Sequence, residues 1–316
     1  MKKIIKTISL VAPFFDFLLA PLTFFAALWF RIAKFWGLRK LPITRSIFLT
    51  TGMAPVVDHY YEPLFDYRKL PTKKFEQIVG IDLQVEAQLQ FLKNFKYQNE
   101  LKALPLNGSG FYFYYNNGSF PSGDAELYYS LIRYLQPKII IEVGAGFSTL
   151  IALEAIKKLK AETELICIEP FEHPELDSLP IYIKRELVEN VELAFFKRLE
   201  ANDILFIDTS HIVRSGGDVM FLFLKVLPQL NPGVWVHIHD IFYPNDYPVE
   251  WLRDEFRLWN EQYLLMAFLC NNSSFEVMFS LAYLKENHLM DVFACFPVLA
   301  SQPNRQPGSF WVRKRN

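Results

Sequence analysis

The stretch Lys138-Ile139-Ile140-Ile141-Glu142-Val143-Gly144-Ala145-Gly146-Phe147-Ser148-Thr149 decides how this chain folds. Its β-branched run is of strand length and ends in a carboxylate and two glycines, and from Leu150 to Leu159 apolar residues return at helical spacing. A buried parallel strand turning sharply into a helix accounts for this order, because glycine reaches backbone conformations that other residues avoid. A nucleotide-type ligand belongs over such a turn. The dinucleotide fingerprint asks for a third small residue where Thr149 stands, so the G-x-G-x-x-G form is incomplete. Leu165-Ile166-Cys167-Ile168-Glu169 adds a second buried strand ending in an acid, roughly 20 residues beyond the glycines, where a ribose-binding carboxylate is expected.

Two blocks further on repeat the plan. Asn202 to Ile207 reads as a strand whose tip is Asp208-Thr209-Ser210-His211, followed by a helix from Gly217 to Leu230. Asn231-Pro232-Gly233 then turns into the strand Val234 to Ile238, whose tip is His239-Asp240. Ligands of open α/β sheets lie beyond the carboxyl ends of the strands, so strands one, two, four and five aim their polar tips at one crevice. A third strand near Ile181 to Ile183, a helix from Val191 to Leu199, a helix from Glu250 to Leu269, a sixth strand from Phe275 to Leu284 and a seventh from Ser309 to Arg313 complete the pattern. His237, two residues deeper on the fifth strand, reads as a core histidine. Ahead of the central strand, Ser122 is expected to cap a helix whose dipole Asp124 and Glu126 complement. Phe111 to Tyr115 reads as a short strand between two turns, and Val85 to Tyr97 as an amphipathic helix.

With 316 residues, 51% of them hydrophobic, the chain can bury the core of a large α/β domain with extensions. A formal net charge of -1 and the lack of a sizeable basic patch exclude nucleic acid as a partner. Cys167, Cys270 and Cys295 lie far apart in apolar surroundings and read as buried free thiols. Residues 1–40 stand apart in composition: lysines at 2, 3 and 6, an apolar aromatic run from Val11 to Phe30, then Arg31, Lys34, Arg39 and Lys40. The run approaches the roughly 20 apolar residues that span a bilayer. Asp16, Pro13 and Pro21 interrupt it, which leaves open an interfacial anchor or a helix packed on the protein itself. The denser basic cluster after the run places the body on the cytoplasmic face of the membrane, the inner membrane in a bacterium, or in the cytoplasm if the segment packs on the domain. Residues 41–119, which include the knot Asp58-His59-Tyr60-Tyr61-Glu62-Pro63, are expected to form a cap or lid, and residues 120–316 the main domain.

Glu142-x-Gly144-x-Gly146 followed by Glu169 resembles the class I S-adenosylmethionine-dependent methyltransferases. There the glycine turn lies under the methionine part of the cofactor and the second acid binds the ribose hydroxyls. The resemblance implies a Rossmann-like sheet of order 3-2-1-4-5-7-6, S-adenosyl-L-methionine as cofactor, and Glu142, Gly144, Gly146, Ser148 and Glu169 around it. Gly123-Asp124-Ala125 is similar to a Gly-Asp-Ala of catechol-type methyltransferases, which implies that Ser122 and Gly123 also touch the cofactor.

Asp208-Thr209-Ser210-His211 with His239-Asp240 resembles the magnesium-dependent sugar O-methyltransferases of macrolide biosynthesis. That likeness implies Asp208 and Asp240 as ligands of a divalent cation, magnesium or manganese, with His211 as the base and Asp208 catalytic beside it. His239 stands where that family has a glutamate; as a ligand it would shift preference from magnesium toward manganese, iron or zinc. From about Asn116 to the C-terminus, and in the leader, the chain is similar to bacterial methyltransferase-family-24 proteins through Ser210-His211, Gly217-Asp218-Val219, His237 to Phe242 and Trp259 to Leu264. The Asp/Asn-Pro-Pro-Tyr signature of amino methyltransferases is missing after strand four, which speaks against exocyclic base methylation. The expectation is a membrane-associated O-methyltransferase acting on a hydroxyl of a sugar, glycan or other polyol, its oligomeric state open. A cofactor-binding scaffold without turnover competes with it. A nicotinamide-dependent oxidoreductase or epimerase would use the same crevice but lacks the third glycine position and a Tyr-x-x-x-Lys dyad.

Overall fold

The computed structural model describes residues 2–57, 61–64, 78–172 and 174–316, with side chains from residue 12 onward. Asp58, His59 and Tyr60 of the polar knot lie outside the described residues. The chain divides into two compact units, Met1–Leu70 and Pro71–Asn316.

In the first unit, α1 (Lys2–Trp36) runs as one helix through Pro13 and Pro21. Within its segment Ala12–Trp36 the most apolar stretch has a mean hydropathy of 1.6 and buries no residue against protein. Gly37, at φ 89°, breaks the helix, and a single 3-10 turn (Leu38–Lys40) leads into α2 (Pro42–Thr51). Helix α2 folds back so that Phe48 meets Phe30 edge to face at 5.2 Å, and Ala33 on α1 is buried.

In the second unit, α3 (Val85–Leu92) and α4 (Gln98–Lys102) precede α5 (Asp124–Leu135). The sheet then begins with β1 (Ile139–Val143), α6 (Phe147–Ile156), β2 (Glu164–Ile168), β3 (Tyr182–Lys184) and α7 (Leu193–Phe196). It continues with β4 (Ile204–Ile207), α8 (Asp218–Phe221), β5 (Trp235–Ile238), α9 (Val249–Arg253) and α10 (Glu261–Leu269). The chain closes with β6 (Phe275–Ser280), α11 (Leu281–Asn287), α12 (Leu289–Cys295), α13 (Pro297–Ser301) and β7 (Phe310–Lys314). The seven strands lie in the order 3-2-1-4-5-7-6, parallel except for β7, which pairs antiparallel with both β5 and β6. This is the sheet that the sequence resemblance implied.

Strand alternation builds the two layers of core. Ile140, Leu165, Ile204, Phe206 and Trp235 point to the face covered by α5 and α6, against Leu131, Ile151 and Ala155. Ile141, Ile166, Leu205, Val236 and their same-face neighbours point the other way, against Leu222, Leu265 and Met266. Each such side chain contributes about 1.5–3 kcal/mol through burial, which fixes the register of the pairing. Register at the open end is held by Asp203, whose carboxylate accepts from the N–H groups of Lys138 and Ile139, both at 2.9 Å.

Several local expectations are corrected. Residues 111–115 form an irregular segment of bends and a turn rather than a strand, and the helix from Val85 ends at Leu92. The long helix expected over Glu250–Leu269 is two helices, α9 and α10, separated by residues 254–260. Strand β6 stops at Ser280, where Ser280 Oγ donates to the Tyr243 carbonyl at 3.0 Å, and the apolar run continues as helix α11. Gly123, at φ 89°, caps α5 in place of Ser122, and its N–H donates to the Glu126 carboxylate at 3.1 Å. Cys270 is only partly buried, unlike Cys167 and Cys295.

The two glycines of the β1–α6 turn differ. Gly144 sits at φ +89°, and a Cβ there would run into the carbonyl oxygen of Asp208, whereas a Cβ at Gly146 would meet, beyond its chain neighbours and own helix, no atom of the described residues within 4 Å. Gly144→Ala is therefore expected to destabilise the chain by more than about 1–2 kcal/mol, the cost of the left-handed conformation alone. Gly146→Ala should stay within about 0.5 kcal/mol of the parent. Urea unfolding of both variants checks this; equal losses would contradict the packing of β1 on β4.

Candidate active site

The carboxyl ends of β1, β2 and β4 open into a cleft of about 430 Å³. Gly144 and Glu169 line it, with Ile168 and Val188 as apolar wall and Asp208, Thr209, Ser210 and Asp218 on the opposite side. The Ser210 hydroxyl donates to the Asp218 carboxylate at 2.6 Å, which also accepts from the Ser210 N–H at 2.8 Å, so the first turn of α8 fixes the end of β4. Thr209 Oγ1 is buried and, among the described residues, has no hydrogen-bond partner. A buried hydroxyl beside a cleft without a protein partner calls for a ligand or water to complete its bonding.

The other residues expected around the cofactor are not part of the cleft wall. Glu142 is fully buried. Its carboxylate accepts from Tyr128 Oη at 2.9 Å, from Thr149 Oγ1 at 2.5 Å and from Cys167 Sγ at 3.7 Å, tying α5, α6 and β2 to the tip of β1. Burial pushes its pKa up to about 7. Ser148 is buried in the first turn of α6. Ser122 Oγ donates to Gln302 Oε1 at 2.6 Å, and Gly123 packs against Pro307 and Leu299.

A second group of polar residues meets beside Asp208. His211 is 4% exposed, and its Nδ1 donates to Glu261 Oε2 at 2.8 Å. Its Nε2 lies 3.3 Å from Asp208 Oδ1 and 3.8 Å from Asp240 Oδ2. The Trp259 ring covers it, centroid to centroid 4.2 Å. His211 and Asp240 both take left-handed backbone conformations, φ 58° and 55°, which side-chain-bearing residues seldom adopt. Burial would lower the His211 pKa, but the hydrogen bonds to Asp208 and Glu261 outweigh it and carry it up to about 10. For Asp208, burial pushes upward, and the neighbouring His239 and the bond to His211 hold the carboxyl below its usual range. His239 Nε2 faces Asp240 Oδ1 at 3.5 Å; burial pulls its pKa down, and Asp240, Asp208 and Asp124 raise it on balance. His237 is a core residue as expected, stacked on Phe206 at 4.1 Å and kept neutral by burial.

Helix α10 clasps this group. The His211 carbonyl accepts from the N–H groups of Asn260 and Glu261 at 3.0 and 3.2 Å, and Asn260 Oδ1 accepts from Val213 N–H at 2.5 Å. Gln262 Oε1 accepts from Phe242 N–H at 2.6 Å. Three consecutive residues thus hold the loops after β4 and β5 together.

Residues 141–241 match the family described as "Methyltransferase domain". The chain is 33% identical over 163 residues to an uncharacterized protein of Archaeoglobus fulgidus, covering 46% of this chain and 74% of that one. This chain belongs to the class I S-adenosylmethionine-dependent methyltransferases. Among solved structures, the methyltransferase is similar to the plantazolicin methyltransferase BpumL in complex with a pentazolic desmethylPZN analog and SAH. The identity is 14%, the TM-score 0.43, and the match covers 74% of this chain and 97% of that one. It is also similar to the O-methyltransferase TomG of Streptomyces achromogenes, in complex with SAM. There the identity is 14%, the TM-score 0.36, and 76% of this chain and 93% of that one are covered.

The cation expected on Asp208, Asp240 and His239 does not fit the methyltransferase as these residues stand. His211 Nε2 already lies 3.3 Å from Asp208 and 3.8 Å from Asp240, in the space a bridging ion would need, and the carboxylates around His239 raise its pKa, which disfavours the neutral form that a metal ligand requires. Among the described residues, no three His, Cys, Asp or Glu side chains form a ligand set. Glu261 and Asp124 were not singled out as site residues from the sequence. Glu261 lay in plain view in the Trp259–Leu264 run, but its partner is 50 residues away. Asp124 read as a helix-dipole acid, yet it is 3% exposed and accepts from Gly308 and Ser309 N–H at 3.0 and 2.8 Å.

The raised pKa of His211 sets the sign of a stability effect. Its contribution is fully present below about pH 6.5, the value in the unfolded chain, and is lost as pH rises through about 10. Urea midpoints are expected to fall across that window. Glu261→Ala should cost about 3–5 kcal/mol at neutral pH, as removal of one partner of a buried pair does, and should flatten the slope. A slope that Glu261→Ala leaves unchanged would contradict the pairing.

Proposed function

We propose that this methyltransferase methylates a hydroxyl of a sugar, glycan or other polyol, working at the cytoplasmic face of the membrane that holds α1. The reading of an oxygen acceptor rests on one observation above all: Asp208 lines the cleft, and His211 Nε2 lies 3.3 Å behind its carboxylate. A hydroxyl must lose its proton as its oxygen forms the new bond to carbon, so it needs a positioned acceptor for that proton. Gly144 and Glu169 on the cleft wall, the Thr209 hydroxyl without a partner among the described residues, and the open space over Gly146 support this cleft as the cofactor site. When bound, S-adenosylmethionine supplies an electrophilic methyl group on a sulfonium.

The residues divide the remaining work. Asp208 orients the acceptor hydroxyl. His211 takes the proton at Nε2, in its neutral form, while Nδ1–H stays on Glu261 and fixes the ring and its tautomer. At rest the ring is an imidazolium, so the competent form accumulates only as pH rises. No divalent ion enters this account. The exposed apolar segment Ala12–Trp36 supports membrane attachment, and at about 1.5 Å per residue it is long enough to cross a hydrocarbon core of about 30 Å.

Two experiments test these assignments. Calorimetry should show that Gly146→Val folds but loses S-adenosylmethionine binding, and that Glu169→Ala weakens binding by about 1.5–3 kcal/mol; unchanged affinity in both would remove the cleft as the cofactor site. With a sugar acceptor, kcat/KM should climb with pH well beyond 6.5, and His211→Ala should cost about 10²–10⁴ in rate, with full activity after exhaustive chelation. A plateau already reached near pH 6.5 would contradict the charged resting state, and activity abolished by chelation and restored by a divalent ion would overturn the metal-free reading.

A further inference from the structure

A cavity of about 710 Å³ lies within the first unit, between the last turns of α1 and the segment that follows α2. Its walls include Phe30, Pro55 and Val56, and among the described residues its charged groups are Arg31, Lys34 and Glu62. Lys34 Nζ is paired with Glu62 at 2.6 Å, so those two charges cancel. Arg31, which is exposed, leaves the described lining with a net positive charge on a forked donor that matches phosphate oxygens. An apolar pocket of this size with one cationic corner suits an amphiphile: a chain against the aromatic and aliphatic wall, an anion at the guanidinium.

Position along α1 says where that amphiphile comes from. From Ala12 to Phe30 the helix rises by about 27 Å, close to the thickness of a hydrocarbon core. Arg31 and Lys34 then emerge where lipid phosphates lie, and Arg39 and Lys40, both exposed, add to the positive field at the same level. At the opposite end Asp16 lies within about one turn of the segment's start, which places that acid near the other interface. The first turn of α2 carries Ile43, 77% exposed, and the next Ile47, 55% exposed, on a short helix just beyond the basic turn, as expected of an element lying at headgroup depth.

We propose that this cavity binds one anionic membrane phospholipid, its phosphate on Arg31 and its upper chain against Phe30 and Val56. The inference rests on the reading that α1 lies in a membrane and goes beyond it, since an anchor alone requires no lipid site. Full-length protein reconstituted in liposomes of phosphatidylcholine with phosphatidylglycerol, then extracted in mild detergent, tests it by native mass spectrometry. The parent chain should retain one phosphatidylglycerol in preference to phosphatidylcholine. Arg31→Gln, which removes the charge, and Val56→Trp, which fills the space, should each cut that retention about 10-fold or more, while Arg45→Gln on α2 should leave it unchanged. Retention unaffected by both variants, or equal retention of the two lipids, would overturn the site. Alkaline carbonate extraction of the same liposomes separates the two claims: a chain that washes off would overturn the membrane reading itself, and the lipid site with it. A chain that stays bound while both cavity variants hold phosphatidylglycerol normally would overturn the lipid site alone.

Discussion

One buried hydrogen bond holds the candidate site together: Glu261 on α10 accepts from the imidazole at the end of β4, 2.8 Å away and fully out of water. A carboxylate in that position is costly unless it is paired, and a charged imidazole there is costly for the same reason; each offsets the other's desolvation. Because the His211 carbonyl also receives the first N–H groups of α10, the bond positions the backbone as well as the ring. The left-handed conformations of His211 and Asp240 persist because surrounding contacts over-determine them. The loops after β4 and β5 thereby become a rigid edge to the cleft.

The charge balance around that bond follows from the same constraint. Asp124, Asp208, Asp240 and Glu261 converge on two imidazoles, and both rings are driven toward the protonated form. Asp124 itself is pushed up to about 6 by burial, despite the attraction of His239 and the bond from Ser309. Protons thus do here what a metal ion does in other acidic sites: they let several carboxylates share a small volume. The charge state of the residues beside the cleft is thereby tied to pH.

Much of the architecture was legible in the sequence because it is written locally. Strands β1, β2, β4 and β5 are short apolar runs with polar tips, and glycine turns punctuate them, so their existence and common crevice could be read directly. The breaks inside 250–269 and after Ser280 could not, since apolar residues continue through both and only through-space bonds end the elements. The unequal roles of Gly144 and Gly146 depend on the Asp208 carbonyl, which comes beside β1 only after the sheet forms. Glu142 fitted the expected motif, but its burial beneath Tyr128 and Thr149 makes it a brace for the turn. The partner of His211 was hidden for the same reason, a contact between residues 50 positions apart.

The protonation state of His211 is the point on which the account turns. Nitrogen NMR of imidazole-labelled protein, titrated from pH 6 to pH 10, reads it directly. The account predicts both ring nitrogens protonated at neutral pH, with the proton leaving Nε2 only as pH approaches about 10 and Nδ1–H retained on Glu261. A neutral His211 ring at pH 7 would contradict it.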